Sequence, residues 1–364
     1  MSVTVTKLQT RKNAPGETRL VREQHKPLAQ GEVLFAVDRF ALTANNITYA
    51  AFGDAMSYWQ FFPTGDPAWG HMPVWGFADV VASDIEGISQ GERFYGYFPA
   101  ASHIAMTPIR ISERGFYDGA PHREKLVSAY NQYTRCSADP AWTPDAENHQ
   151  MLLRPLFITS FMLADYLADN RFFGAEQVVF SSASSKTAYG TAWCIGEGPA
   201  AVALTSGPNR SFTEELGIYR RSLSYDDFER IDAGGPTLYV DFSGDTALRA
   251  RIHRHFAGSL VHDCFAGSAQ NYDFIAMADL PGPQPRFFFA PDQIKKRNAD
   301  WGGTELSGRI KAAQARFVAY LTERRLLEID VAAGLTAAQS VVAIFAAGRT
   351  DPRRGHVIRL DERL

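Results

Sequence analysis

Cysteine is scarce: Cys136, Cys194 and Cys264 are the only three in 364 residues. They are odd in number and far apart, which argues against a disulfide framework and against a Cys-rich structural zinc site. A basic excess is missing too. The 37 Lys and Arg face 40 Asp and Glu, for a formal net charge of -3, so the composition carries no footprint for nucleic acid. No run of about 18 apolar residues stands out, and no membrane span is expected. Residues 1–22 lack the apolar stretch of a signal peptide, and with the few thiols this points to a cytoplasmic protein. A Gly-x-Ser-x-Gly elbow is also absent, which places a serine hydrolase last among the enzymatic readings.

What is present is globular and aromatic. Hydrophobic residues make up 45% and charged residues 21%, with 25 Phe, 14 Tyr and 6 Trp. The length suggests about two domains, and the aromatics suffice to line an apolar pocket besides a core. Residues 1–110 read as β-rich, with short apolar runs at 31–37, 74–82 and 91–98 between Gly and Pro, as in a small barrel. Residues 111–150 are polar and aromatic without a clear period, which reads as an inserted functional loop. From 152 onward the pattern alternates. Helices are expected at 152–168, 186–195, 212–216 and 247–256, and strands at 178–180, 201–205, 237–242 and 259–264. That order predicts an α/β domain with a doubly wound parallel sheet. Residues 311–327 and 337–347 read as further helices and 355–360 as a closing strand.

The junction Val178-Val179-Phe180-Ser181-Ser182-Ala183-Ser184-Ser185-Lys186-Thr187-Ala188-Tyr189-Gly190 is the most informative stretch. A strand runs through small residues into a helix, which aims backbone N–H groups and the positive helix end at a phosphate. Serine stands where a dinucleotide-binding loop ordinarily has glycine. The expected phosphate contacts are Ser181, Ser182, Ser184, Ser185, Lys186 and Thr187. A plain strand–turn–helix with a serine N-cap fits the same string. A Walker loop does not, because Phe180 and Ser185 replace its glycines. The second strand ends without the acidic residue that would hold the ribose of NAD. It offers Thr205, Ser206 and Arg210 instead, which suit the 2′-phosphate of NADP.

Taken together, Gly31-Glu32-Val33-Leu34, Pro73-Val74-Trp75-Gly76-Phe77-Ala78-Asp79-Val80-Val81, Gly91-Glu92-Arg93-Phe94-Tyr95-Gly96, Asp241-Phe242-Ser243-Gly244, Phe287-Phe288-Phe289-Ala290-Pro291-Asp292-Gln293-Ile294 and Gly355-His356-Val357-Ile358 resemble the ordered motifs of the medium-chain dehydrogenase/reductase superfamily. The resemblance is to its zinc-free quinone-oxidoreductase and enoyl-reductase branches. It implies a GroES-like β-rich catalytic domain over 1–150, a Rossmann domain over 151–300 and a C-terminal segment, 301–364, that returns to the catalytic domain. It adds Phe242, Ser243 and Phe289 to the cofactor residues. Zinc members carry a Cys in the early turn and Gly-His-Glu in the next block. Here those places hold Asn45 and Asn46, and Trp75-Gly76-Phe77, so no metal is expected, and the lone His71 reads as structural.

The family's active-site turn falls on residues 40–47, which makes Tyr49 the expected proton donor and Asn45 its catalytic partner. Asn46, Tyr58, Trp59, Phe62 and Tyr133 are the expected substrate contacts, with Phe61 beside them and His122, Arg123 and Arg135 as donors on the inserted segment. The function implied is NADPH-dependent, zinc-independent reduction of an activated double bond, a quinone or a carbonyl on an apolar, fatty or aromatic small molecule, by a homodimer as is common in the superfamily. A second reading is a nucleotide-binding protein without turnover, serving regulation or scaffolding.

Overall fold

Short β-branched and aromatic runs between Gly and Pro favour strands, and the first part of the chain is built of them. The computed structural model describes residues 3–266 and 280–360. The chain divides into two units, Met1–Leu152 with Ile329–Leu364, and Leu153–Glu328.

In the first unit, Thr4–Arg11 pairs antiparallel with Ala14–Gln24 and with Trp69–Gly70. A larger sheet of nine strands includes Val33–Leu42, Pro73–Ser83, Arg93–Pro99 and Arg354–Arg359. Phe35, Phe94, Phe98 and Phe116 fill its core. At Gly76 a Cβ would lie 2.3 Å from the Arg39 carbonyl oxygen, so the strand pairing at that point requires glycine. Arg93 ties the elements together by ion pairs to Asp38, Asp79 and Glu147.

The segment 111–150 is not one irregular loop. Gly115–Asp118 and Gln132–Arg135 are strands of the large sheet. Phe116 and Tyr133 stack at 5.0 Å inside the core. Strands of four residues are too short to show a period, which is why the sequence conceals them. Tyr133 therefore lines no substrate surface. Its side chain is fully buried, and its hydroxyl donates to the Tyr97 carbonyl and accepts from Arg123. Arg123 is also buried, paired with Asp118 at 3.0 Å, and is not available as an anion-binding cation.

The second unit is a parallel sheet. Its strands, Gln177–Phe180, Ala200–Thr205, Arg221–Ser224, Thr237–Asp241, Leu260–Phe265 and Arg286–Phe287, are numbered one to six along the chain and lie in the order 3-2-1-4-5-6. Helices Lys186–Ile195, Arg210–Glu215 and Thr246–Phe256 connect strands in this sheet. The boundary expected at residue 301 falls at 329 instead. The helix Gly303–Glu323 stays with the parallel sheet because Phe317 seats against Phe157, Tyr189 and Trp193. Among the described residues, one helix, Pro144–Asp169, is long and apolar enough to cross a membrane. Much of it is buried within the protein, with Leu163 and Leu167 fully enclosed.

His71 is buried in the first unit. Its Nδ1 lies 3.0 Å from the Phe62 carbonyl and its Nε2 is 3.5 Å from the Gln9 amide nitrogen. One nitrogen donates and the other accepts, so the neutral ring is the one that fits. Burial, the main cause, lowers its pKa from 6.5 to about 4. The unfolded chain binds the proton more readily, so this contribution is complete above pH 6.5 and disappears as pH falls through about 4. At about 1.4 kcal/mol per pH unit, it is bounded near 3 kcal/mol. Urea midpoints are expected to fall between pH 6.5 and 4, and His71→Asn is expected to flatten that slope; an unchanged slope would refute the assignment.

Candidate functional site

The strand order reverses between the first and fourth strands, Gln177–Phe180 and Thr237–Asp241. A parallel sheet leaves a ligand crevice beyond the carboxyl ends of its strands at such a point. Here those ends are Ser181 and Phe242. The floor is organised by Asp241, which is fully buried. Its Oδ1 accepts from the Ser181 hydroxyl, from the Ser243 N–H at 2.8 Å and hydroxyl at 2.7 Å, and from the Gly244 N–H at 3.2 Å. Its Oδ2 accepts from Arg249. Ser181 Oγ in turn accepts the N–H groups of Phe242 and Ser243 at 2.9 and 3.1 Å.

The serine loop then turns sharply. Ser182 has φ 44°, in the left-handed region that ordinarily favours glycine. Its N–H donates to the Tyr225 hydroxyl at 2.9 Å. Ser185 caps the following helix, with its hydroxyl accepting from the Ala188 N–H at 3.3 Å. Lys186 and Thr187 begin the first turn, whose N–H groups a helix leaves without intrahelical acceptors. Gly190 lets this helix approach Ser160, where a Cβ would come within 2.7 Å of the hydroxyl.

Ser184 joins this loop to the end of the second strand. Its hydroxyl accepts from Thr205 at 3.1 Å and from Asn209 at 3.3 Å. Thr205 is buried, so its hydroxyl braces the loop from below. Ser206 is exposed. Arg210 is exposed and pairs with Glu214 at 2.9 Å, a surface pair that holds the guanidinium only weakly. Phe289 is half-buried and stacks on Phe287. The sequence reading missed Asn209, Tyr225, Asp241 and Arg249. Asn209 was one residue from the chosen Arg210, whereas Tyr225 is 43 residues from Ser182 in the chain and only the fold unites them.

In the first unit, the helix Ala44–Ala51 presents Asn45 and Tyr49. Asn46, expected as a substrate contact, is engaged within the fold instead. It is buried as half of a capping box, accepting from the Thr43 N–H at 2.8 Å and donating to the Pro73 carbonyl at 2.9 Å. Trp59 is excluded as well. It fills the core between Gly53 and Gly70, where a Cβ would lie 2.0 and 2.3 Å from the indole. Tyr49, Tyr58 and Phe62 do come together, with Phe61, Tyr97 and Phe52 and the partly buried Trp75 and Tyr130 around them. The Tyr49 hydroxyl accepts from the Trp75 indole N–H at 3.1 Å, and Asn45 lies one turn before it on the same helix. Burial, ahead of every other cause, pushes its pKa well above the ordinary tyrosine value. A phenol in this setting stays protonated and can act as a proton donor. Among the described residues, no group of three His, Cys, Asp or Glu side chains is placed to hold a metal ion.

Known structures share this architecture. CurA from Vibrio vulnificus, solved in complex with NADPH, is 12% identical, with a TM-score of 0.61 over 95% of this chain and 94% of that one. The yhdH oxidoreductase from Salmonella enterica, in complex with NADP, is 14% identical, with a TM-score of 0.54 over 99% and 100%. The quinone oxidoreductase from Coxiella burnetii is also 14% identical, with a TM-score of 0.53 over 99% and 100%. These likenesses show the fold alone, a doubly wound Rossmann sheet with a GroES-like β-rich unit. No curated protein matches in sequence. Residues 40–351 match the profile described as protein of unknown function (DUF2855), and the chain belongs to that family.

Proposed function

We propose that the protein is an NADPH-dependent, zinc-independent reductase of an activated double bond, a quinone or a carbonyl. The observation that carries this reading is the serine loop at the strand-order reversal, tied through Ser184 to a second-strand end that lacks an acidic residue. NADP-bound relatives of the same fold support it.

The residues fit the cofactor. Ser182 in the left-handed region and the helix start at Lys186 and Thr187 suit a pyrophosphate. Ser206, Asn209 and Arg210 suit the 2′-phosphate, and Glu214 can give up its surface pair to that phosphate. Bound NADPH supplies a hydride. The protein's own part is to hold a proton at Tyr49 Oη and to orient it through Asn45 and the Trp75 N–H. With Asn45 and Asn46 in place of zinc ligands, hydrogen bonds take over the polarisation of the substrate oxygen.

Titration by fluorescence is expected to give tighter binding of NADPH than of NADH. Arg210→Ala should weaken NADPH about 5-fold, the effect of losing roughly 1 kcal/mol at an exposed charge, and leave NADH unchanged; equal loss for both would remove the 2′-phosphate assignment. Tyr49→Phe should slow turnover of a quinone or enone by about 100-fold or more. Because its pKa is raised, the wild-type rate should show no alkaline loss from Tyr49 below about pH 10. If NADPH binds and no quinone, enone, enoyl thioester or aldehyde oxidises it, the regulatory nucleotide-binding reading replaces this one.

A further inference from the structure

Tyr130 is held differently from the aromatic rings around it. Its ring centroid lies 4.7 Å from Tyr97, 5.5 Å from Phe61, 5.7 Å from Tyr58, 6.0 Å from Trp75 and 6.3 Å from Tyr49. Those five are fixed. Trp75 and Tyr97 stand on neighbouring strands of the large sheet, Tyr49 is on a capped helix, and Tyr58 and Phe61 are buried on the turn that follows. Tyr130 comes instead from the short turn Ser128–Asn131. It ends a stretch in which Pro121, Glu124, Lys125, Ser128 and Ala129 are all exposed, and Tyr130 itself is only half-buried.

Two polar observations bear on what this cage accepts. The Tyr130 hydroxyl is 3.4 Å from that of Tyr58. The fully buried Tyr97 hydroxyl has no hydrogen-bond partner among the described residues. An unsatisfied buried hydroxyl costs about 1–3 kcal/mol, and such a group inside a functional cluster points to a missing partner.

We propose that Tyr130 is a place-holder, and that the cage of Tyr49, Tyr58, Phe61, Trp75 and Tyr97 binds a single flat six-membered ring bearing oxygen, such as a quinone or an oxo- or hydroxy-substituted arene, when Tyr130 swings out. This rests on the reading of Tyr49 as the proton donor, since a ring in the place of Tyr130 would lie against Tyr49, with its oxygen near the Tyr58 hydroxyl. It narrows the substrate from fatty or aromatic to aromatic. Flat rings gain from edge-to-face and stacked contacts with five aromatic faces, and electron-poor rings gain most against tyrosine and tryptophan. An acyl chain gains only its area.

The test uses the full chain without NADPH, so it stands apart from failure of the cofactor reading. By calorimetry, 4-hydroxyacetophenone should bind and 2-nonanone, of similar size, should bind at least about 10-fold more weakly. At saturation with the ring ligand, nitration of Tyr130 by tetranitromethane, mapped by mass spectrometry, should rise about 3-fold or more, while Tyr49, Tyr58 and Tyr97 stay unreacted. Tyr130→Ala should bind the ring about 10-fold tighter, because the closed form no longer competes, and Tyr130→Phe should not. Protection of Tyr130 on binding, unchanged nitration, no binding of the ring, or equal binding of the chain ketone would each overturn the proposal. The wild-type nitration result decides the matter even if the alanine variant fails to fold.

Discussion

A carboxylate taken out of water is costly unless several donors replace the lost solvent, and Asp241 is the residue around which the second unit resolves that cost. It sits at the carboxyl end of the fourth strand with five donors on it. These donors fix three different elements. Ser181 begins the serine loop, Ser243 and Gly244 shape the turn after the strand, and Arg249 anchors the helix Thr246–Phe256. The crevice therefore keeps its outline without a glycine fingerprint, because side-chain hydroxyls hold backbone that glycine would otherwise let fold freely. Serine at a left-handed φ carries a conformational cost, and this network together with the Tyr225 hydroxyl offsets it.

The charges behind Asp241 balance only with one more proton. Arg249 stands between Asp241 and Asp263, at 3.4 Å from the latter. Both ring nitrogens of the fully buried His253 face acceptors, the Pro281 carbonyl and Asp263 Oδ2, each at 2.8 Å. A neutral imidazole has one N–H, so either the ring is charged or Asp263 carries the proton. Burial, the largest cause, pushes the Asp263 carboxyl up, against the pull of His253 and Arg249. Either way two carboxylates, a guanidinium and one shared proton form a neutral set, which is the arrangement that a low-dielectric interior tolerates.

The first unit divides its labour differently. Arg93 fastens three carboxylates from separate elements, while the buried Arg123–Asp118 pair lies against the rings of Phe61 and Phe62. What surrounds Tyr49 is almost entirely aromatic, with indole and phenol groups as its polar contacts. That environment keeps a phenol protonated and favours ligands that present faces and edges over ligands that present chains.

Much of the fold was legible along the chain. The helix 186–195 and the alternation of strands and helices follow from local apolar periods and from Gly, Pro and Ser punctuation, which act over a few residues. The closeness of Tyr49, Tyr58 and Phe62 was also legible, because they fall within one short stretch of the chain. The errors share one cause. Trp59, Tyr133 and Asn46 are expected substrate contacts from the sequence because aromatic and amide side chains look alike there whether they face a core or a cavity. Gly53 and Gly70 closing on Trp59, the sheet closing on Tyr133 and Pro73 accepting from Asn46 are contacts between distant positions. The same holds for Tyr225 meeting Ser182 and for the helix Gly303–Glu323 staying with the parallel sheet. Sequence by itself determined the order of elements and the chemistry available at the serine loop; which side chains are spent on packing, and which remain for a ligand, was decided by tertiary contacts, since burial is a property of what lies across from a residue and not of its neighbours in the chain.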